Sequence, residues 1–378
     1  MPSRGGFRSW AALLTAACAA AAALLLLTPA LARWVWIARL ALRETSLAIT
    51  AVALLAALLA LPARDRRQRM ARWLALPSGV VGLLPFATQL FVLMRLGLPF
   101  SPLEYAVGSR PQQVRVERHL VLEARAAPLR ADVHHAPGAA PHPFVVLVHG
   151  GSWRSGERGE GAHLTRAIAV AGHTVIDVEY RLAPAHPFPD GIGDLKCALG
   201  RVRERAGELG IDPDRGVLLG RSAGGQMALV AAYSAGDPRV PPSCDVRDAP
   251  VQGVIALYSP VDLVYGHANP MRPDVIASTR SIELYLGGPP SSRREVYRLA
   301  SPRSWADRPL PPTLLLHGES DRIVGSLHSA LLASELSANE SPVTLVRIPF
   351  GEHGFEMRPG SVSEQLARAA ILEFLDGG

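Results

Sequence analysis

Val217-Leu218-Leu219-Gly220-Arg221-Ser222-Ala223-Gly224-Gly225-Gln226-Met227-Ala228-Leu229 is the stretch that decides the fold. An apolar run ends in Gly-x-Ser-x-Gly, and a helical pattern of Ala, Leu and Met follows at once. This setting predicts a nucleophile elbow, a strand-to-helix turn so tight that the serine hydroxyl stands exposed on a strained backbone. A Cβ at Gly220 or Gly224 would crowd the adjoining strand or helix. The turn also leaves the Ala223 N–H at a helix N-terminus, where a developing oxyanion could be held. Ser222 is therefore the candidate nucleophile.

A nucleophilic serine needs a base, and the base needs an orienting carboxylate. The apolar run 313–316 leads into His317-Gly318-Glu319-Ser320-Asp321, which offers Asp321, with Glu319 as the competing acid. The run 343–348 leads into Pro349-Phe350-Gly351-Glu352-His353, which offers His353, with His317 and His328 as competitors. Ser222, Asp321, His353 is the chain order expected of a fold carrying this elbow. Upstream, the apolar run 144–148 ends in His149-Gly150-Gly151-Ser152-Trp153, a glycine-rich turn able to aim backbone N–H groups at the space before the nucleophile. His149 suits bracing that turn better than acting as a base.

The surrounding pattern is α/β. Strands are expected over 114–122, 129–134, 144–148, 173–178, 217–219, 251–257, 313–316 and 343–348. Helices are expected over 163–171, 190–209, 325–338 and 362–375. Strands alternating with helices imply a mainly parallel sheet covered on both faces. Residues 262–300 break the rhythm, being polar and rich in Pro, Gly and Arg. They read as a long loop with one helical piece near 282–286, either a pocket wall or a surface insertion.

The front of the chain differs in kind. Residues 10–31, 45–61 and 73–94 are apolar stretches close to the roughly 20 residues a helix needs to cross a bilayer, the third interrupted by Pro77 and Pro85. Trp10, Trp34, Trp36 and Trp73 fall near their ends, where interfacial tryptophans collect. Residues 1–110 hold twelve arginines against three acids (Glu44, Asp65, Glu104), a net +9, and the remainder of the chain is mildly acidic at −3. The densest positive run, Arg64 to Arg72, is expected in the cytoplasm together with Arg4 and Arg8. Arg33, Arg39 and Arg43 then fall outside, against the rule. Three crossings would place everything after about Gly97 away from the cytoplasm. Cleavage of a signal peptide at Ala30-Leu31-Ala32 is the alternative, which two further apolar segments disfavour. The expected domains are membrane-embedded helices over 1–98, a linker over 99–113 and a catalytic domain over 114–378.

No basic stripe with interleaved aromatics marks a nucleic-acid binder. Cys18, Cys197 and Cys244 have neither metal spacing nor a CxxC pair. A Cys197–Cys244 bridge is possible in an oxidising compartment but is not the expected state. Lys196, the only lysine, reads as a matter of composition.

Taken together, His149-Gly-Gly-Ser-Trp, Glu179-Tyr-Arg-Leu-Ala-Pro-Ala-His-Pro-Phe-Pro, Gly220-Arg-Ser-Ala-Gly-Gly, His317-Gly-Glu-Ser-Asp321 and His353-Gly-Phe resemble the α/β-hydrolase-fold esterases. The branch they are most similar to is that of the hormone-sensitive-lipase-like carboxylesterases and their acetyl-esterase relatives. The resemblance runs from about Val114 to the C-terminus. It implies an α/β-hydrolase fold, an oxyanion hole from the N–H groups of Gly151, Ser152 and Ala223, and small- to medium-chain carboxylic esters as substrates. It implies no metal or organic cofactor. Ser152 stands where the family often has a third glycine, and Arg221 where an acid is common. The expected function is a membrane-anchored serine esterase. The rivals are acyl transfer on the same fold, a peptidase or amidase, and a membrane adaptor with a retired hydrolase domain.

Overall fold

The computed structural model describes residues 4–28, 32–61, 64–110, 113–123 and 128–377. Contacts divide the chain into two compact units, Met1–Gly108 with Ile348–Leu366, and Ser109–Arg347 with Ala367–Gly378. Ala30 and Leu31 of the cleavage-like site, and Pro111 at the end of the linker, lie outside the described residues.

The first unit contains α1 (Arg4–Leu27), α2 (Arg33–Glu44), α3 (Ser46–Leu59), α4 (Arg66–Arg95) and the short α5 (Pro102–Val107). Ala12, Ala16 and Ala19 meet Ala53, Ala56 and Ala60, and Ala71 and Ala75, in one buried seam between α1, α3 and α4. Spacings of three or four residues put these alanines on one stripe of each helix, and small side chains let backbones approach closely. The leucines between them face outward: Leu14, Leu24, Leu54, Leu58 and Leu76 are all exposed. Arg8 donates to the Leu59 carbonyl at 3.1 Å, and the Ser9 hydroxyl to the Asp65 carboxylate at 2.5 Å. Arg67 stacks over Trp10 at 4.2 Å. The start of α1, the end of α3 and the start of α4 therefore share one end of the bundle, and that end carries the arginine run. Arg43, near the end of α2, donates to the Leu26 carbonyl at the other end of α1.

Two helices, Gly6–Leu27 and Arg66–Arg95, are long and apolar enough to cross a membrane. α4 continues through Pro77 and Pro85, and the Ser78 and Thr88 hydroxyls donate back to the Leu74 and Leu84 carbonyls. The expected segment 45–61 forms a helix of only 14 residues, roughly 21 Å long at 1.5 Å per residue. It joins α2 through a 75° bend, so it reaches crossing length only as part of that bent pair.

The second unit is built on one eight-stranded sheet in the order β1-β2-β4-β3-β5-β6-β7-β8. Its strands are β1 (Val116–Glu123), β2 (Leu129–His134), β3 (His142–Val148), β4 (Thr174–Val178), β5 (Ile211–Arg221), β6 (Gly253–Leu257), β7 (Thr313–Gly318) and β8 (Val343–Ile348). β1–β2 and β2–β4 pair antiparallel, and the ladders from β4 through β3, β5 and β6 to β7 are parallel. Phe144 to Val148 are almost fully buried, as an unbroken apolar run between two helical layers requires. The helices are α6 (Ala162–Val170), α7 (Asp190–Glu204), α8 (Ala206–Leu209), α9 (Ala223–Tyr233), α10 (Leu263–Ala268), α11 (Ser278–Leu286), α12 (Arg294–Ala300), α13 (Leu327–Ala338) and α14 (Val362–Asp376). The single helix expected over 190–209 is two, interrupted at Arg205.

Two expectations need correction. Residues 262–300 are not a loop with one helical piece but hold α10, α11 and α12. Cys197 and Cys244 form a disulfide, with Cα atoms 5.4 Å apart. Lys196 beside it is a structural cross-link. Its buried ammonium donates to the Ser234 and Val240 carbonyls at 2.7 Å each and to the Asp248 carboxylate at 2.8 Å. The bridge and the lysine together tie α7 to the segment after α9.

Candidate active site

The elbow forms as its residues require. β5 ends at Arg221, α9 begins at Ala223, and Ser222 between them sits at φ 52°, ψ −120°, a conformation L-residues rarely adopt. The turn is held by the Ser222 N–H donating to the Leu257 carbonyl at 2.9 Å and the Gln226 N–H donating to the Ser222 carbonyl at 3.1 Å. Gly224 is a requirement of close approach, since a Cβ there would overlap the Val148 and His149 carbonyls. That approach brings the glycine-rich turn after β3 against the elbow: a Cβ on Gly150 would lie 3.4 Å from that of Ser222.

The glycine-rich turn is strained in the same way. Gly151 has φ 111°, Ser152 φ 54° and Trp153 φ 61°. The Gly151 carbonyl accepts from the Arg154 and Ser155 N–H groups at 3.1 Å each, which closes the turn. His149 stacks on Tyr180 at 4.3 Å, and its Nδ1 lies 2.7 Å from the Gly150 carbonyl. Burial holds its pKa below the usual imidazole value, so it braces the turn as a neutral ring. The next residue of the Glu179–Pro189 motif, Arg181, grips Asp194 of α7 through two N–H groups at 2.8 Å each. The Ala183 N–H of that motif donates to the Trp153 carbonyl at 2.9 Å, which ties the motif to the turn.

Ser152, Trp153, Ser222 and Ala223 line one cleft of about 510 Å³, counting the space open at its mouth. Its apolar lining comes from Met271 and Ile276 in the segment between α10 and α11, Ile282 of α11, and Ile323 and Val324 after β7, with Asn269, Ser278, Ser281 and His328 as polar members. The segment misread as a loop is thus a pocket wall, built from helices of six to nine residues. Trp153 stacks on Tyr285 of α11 at 4.5 Å, and its indole N–H donates to the Gln226 side chain at 2.7 Å. Gln226 in turn donates to the Ala300 carbonyl at 2.6 Å. Nothing in a lone glutamine on an Ala-rich helix announces this bridge between elbow, turn and wall.

Asp321 is buried, and its Oδ1 accepts from the Ile323 and Val324 N–H groups at 2.8 and 2.9 Å, whereas Glu319 is exposed. His317 is fully engaged beneath it: Nδ1 faces the Ser329 hydroxyl at 2.6 Å, and Nε2 faces the Val324 carbonyl at 2.9 Å and the Asp321 carboxylate at 3.4 Å. His328 lines the cleft, and its Nδ1 accepts from the Val261 N–H at 3.2 Å. Burial, with His317 nearby, pushes its pKa down to about 4. Arg221 is buried with its guanidinium donating to the Glu160 carbonyl at 2.8 Å, so its charge is spent away from the cleft lining. His353 is half-buried and belongs to the 348–366 segment, within the unit of α1 to α5. Among the described residues, no group of three His, Cys, Asp or Glu side chains is arranged to hold a metal ion.

Known proteins share this architecture. The chain is 29% identical over 235 residues to the probable carboxylic ester hydrolase LipM of Mycobacterium tuberculosis, covering 62% of this chain and 54% of that protein. It is 46% identical over 101 residues to carboxylesterase NlhH of the same organism, covering 26% of this chain and 32% of that one. The match to LipM spans about half of that protein's length. A hyperthermophilic esterase from the archaeon Pyrobaculum calidifontis superposes with a TM-score of 0.60 at 24% identity, over 77% of this chain and 90% of that one. An esterase of Thermogutta terrifontis gives 0.55 at 23% identity, over 70% and 92%. These superpositions share the α/β-hydrolase fold. The family model described as BD-FAE matches residues 132–336, a span from β2 to the end of α13 that holds the elbow, the glycine-rich turn and Asp321, and the chain belongs to that family.

Proposed function

We propose that this protein is a membrane-anchored serine carboxylesterase. The carrying observation is Ser222, held in a left-handed turn at the head of α9 and lining a cleft with Ser152, Trp153 and Ala223. In the proposed reaction the Ser222 hydroxyl attacks an ester carbonyl while His353 accepts its proton. Asp321 fixes the imidazole tautomer, and the N–H groups of Gly151, Ser152 and Ala223 hold the oxyanion. His353 then protonates the departing alcohol. Water, deprotonated by the same histidine, releases the acid from the acyl-enzyme. Burial and two backbone donors favour Asp321 over the exposed Glu319 as the acid. His328, with a pKa near 4, is a weak base near neutral pH, which favours His353 on the loop after β8. The apolar walls suit small to medium acyl chains.

The proposed topology has three traverses, with the arginine-rich bundle end in the cytoplasm and the catalytic unit on the far side. It is supported by the clustering of Arg8 and the Arg64–Arg72 run at one end, and by the exposed leucines around the bundle. The Cys197–Cys244 bridge adds support, since disulfides persist in oxidising compartments.

The test is hydrolysis of p-nitrophenyl acetate and octanoate by the solubilised full chain beside Ser222→Ala. Loss of a triad serine typically costs about a millionfold in turnover. Activity that survives in the variant refutes Ser222 as nucleophile. An acceptor-dependent ester product in place of free acid would reassign the protein to acyl transfer. Protease added to intact spheroplasts should cut the catalytic unit, and protection there would refute the topology.

A further inference from the structure

The 348–366 segment is built into the N-terminal helices by charge. Glu352 is fully buried beside His353, and Arg39 and Arg43, two turns of α2 that are themselves nearly inaccessible, face its carboxylate at 3.3 and 2.9 Å. Arg43 also donates to the Phe350 carbonyl at 3.0 Å and to the Leu26 carbonyl of α1 at 3.3 Å. The Gln89 amide of α4 donates to the Pro349 carbonyl at 2.9 Å, and Arg358 to the Glu44 carbonyl at 2.8 Å. The Ser363 hydroxyl reaches the Glu44 carboxylate. Bonds to Pro349, Phe350 and Glu352 hold the chain before His353, and those from Arg358 and Ser363 hold it after.

A membrane anchor alone needs none of this. Taking charges out of water costs several kcal/mol each, and an ion pair repays it only with good geometry, so a buried Arg–Arg–Glu group is an expensive way to attach a loop. We propose that Arg39, Arg43 and Glu352 are positioning residues, through which the N-terminal helices set the placement of His353. The inference rests on His353 being the base. The charged groups that α2 and the 348–366 segment contribute to this unit are Arg39, Arg43 and Glu44, and Glu352, Glu356, Arg358 and Glu364. Asp321 is the remaining charge of the proposed triad. Glu352 is the anion next in sequence, and two cations balance it.

The sign of the effect separates this role from plain bracing. Glu352→Gln leaves two cations uncompensated and should move the acid limb of the kcat/KM profile to lower pH. Arg43→Met removes a positive charge and should move it to higher pH. The two shifts are expected to be opposite in sign. In both variants kcat should fall about tenfold or more with KM little changed, since small displacements of a base are costly. Arg43→Lys should restore most of the limb. All variants are full-length, solubilised chains assayed on p-nitrophenyl acetate, with His353→Gln alongside. Should the single variants not fold, Arg39→Met/Arg43→Met/Glu352→Met removes all three charges together without leaving one unpaired. It should keep the fold while losing kcat. An active His353→Gln overturns the triad reading itself. A dead His353→Gln, beside Glu352→Gln and Arg43→Met with unshifted limbs or limbs shifted in the same direction, overturns only the positioning role. A triple variant with wild-type kcat does the same.

Discussion

Gln226→Leu tests whether the bridge between the elbow helix, the glycine-rich turn and the pocket wall matters to turnover. Gln226 is fully buried and makes two short bonds, accepting from the Trp153 indole at 2.7 Å and donating to the Ala300 carbonyl at 2.6 Å. Leucine keeps most of the volume and deletes both. Each buried group left without a partner costs about 1–3 kcal/mol, and the apolar side chain recovers part of that, so a net loss of roughly 2–4 kcal/mol is expected. For a unit of this size that is a fall of roughly 5–15 °C in apparent melting temperature. Trp153 follows Ser152 in a run of positive φ, so freeing the indole lets the Ser152 N–H drift from its aim. Losing an oxyanion donor outright costs roughly 10²–10³ in kcat, and a misaimed one should cost about 10- to 100-fold. Scanning fluorimetry and p-nitrophenyl butyrate kinetics on the same preparation read both effects. A destabilised variant with wild-type kcat would show that the bridge supports the fold without aiming the donor. A variant unchanged in both would refute the reasoning altogether.

Two further outcomes are expected. Cys197→Ser opens a bridge spanning 47 residues, which the chain-entropy account values at about 4 kcal/mol; dithiothreitol should lower the melting temperature of the wild type and leave the variant unmoved. His328, neutral in the fold with a pKa near 4 against 6.5 when unfolded, takes up a proton more readily in the unfolded state between those values. Its contribution to stability is therefore complete above about pH 6.5 and is lost as pH falls towards 4, a span worth on the order of 3 kcal/mol. His328→Gln should flatten the stability curve within that window, and an unaltered slope in denaturant titrations at pH 4.5 and 6.5 would show that another group carries it.

What could be read in the sequence was what backbone geometry imposes. The elbow and the turn after β3 demand glycine at fixed places because carbonyls pass where a Cβ would stand, as at Gly224, and that demand leaves a residue-type signature. The parallel strands were legible because Phe144 to Val148 are buried on both faces. Where structure comes from contacts distant in sequence, the signature is missing. α10, α11 and α12 have six, nine and seven residues, too short for helical periodicity to emerge from a stretch rich in Pro, Gly and Arg. Cys197 and Cys244 meet only because α7 packs against the segment after α9, where Lys196 also finds its acceptors. The stretch 45–61 reaches crossing length only together with α2, through a bend at Thr45 that its apolar composition does not announce.

Arg39 and Arg43 count against the proposed orientation only as solvated charges, and both are buried. As free cations at the non-cytoplasmic end of the bundle they oppose the expected orientation, because the rule weighs unpaired positive charge near membrane-spanning segments. Paired inside the fold with Glu352, they present little charge to the membrane surface. The exposed arginines of the 64–72 run then dominate the asymmetry. Charge in a sequence carries no mark of whether it will be solvated, and here its partner lies some three hundred residues downstream, next to the histidine proposed to do the chemistry.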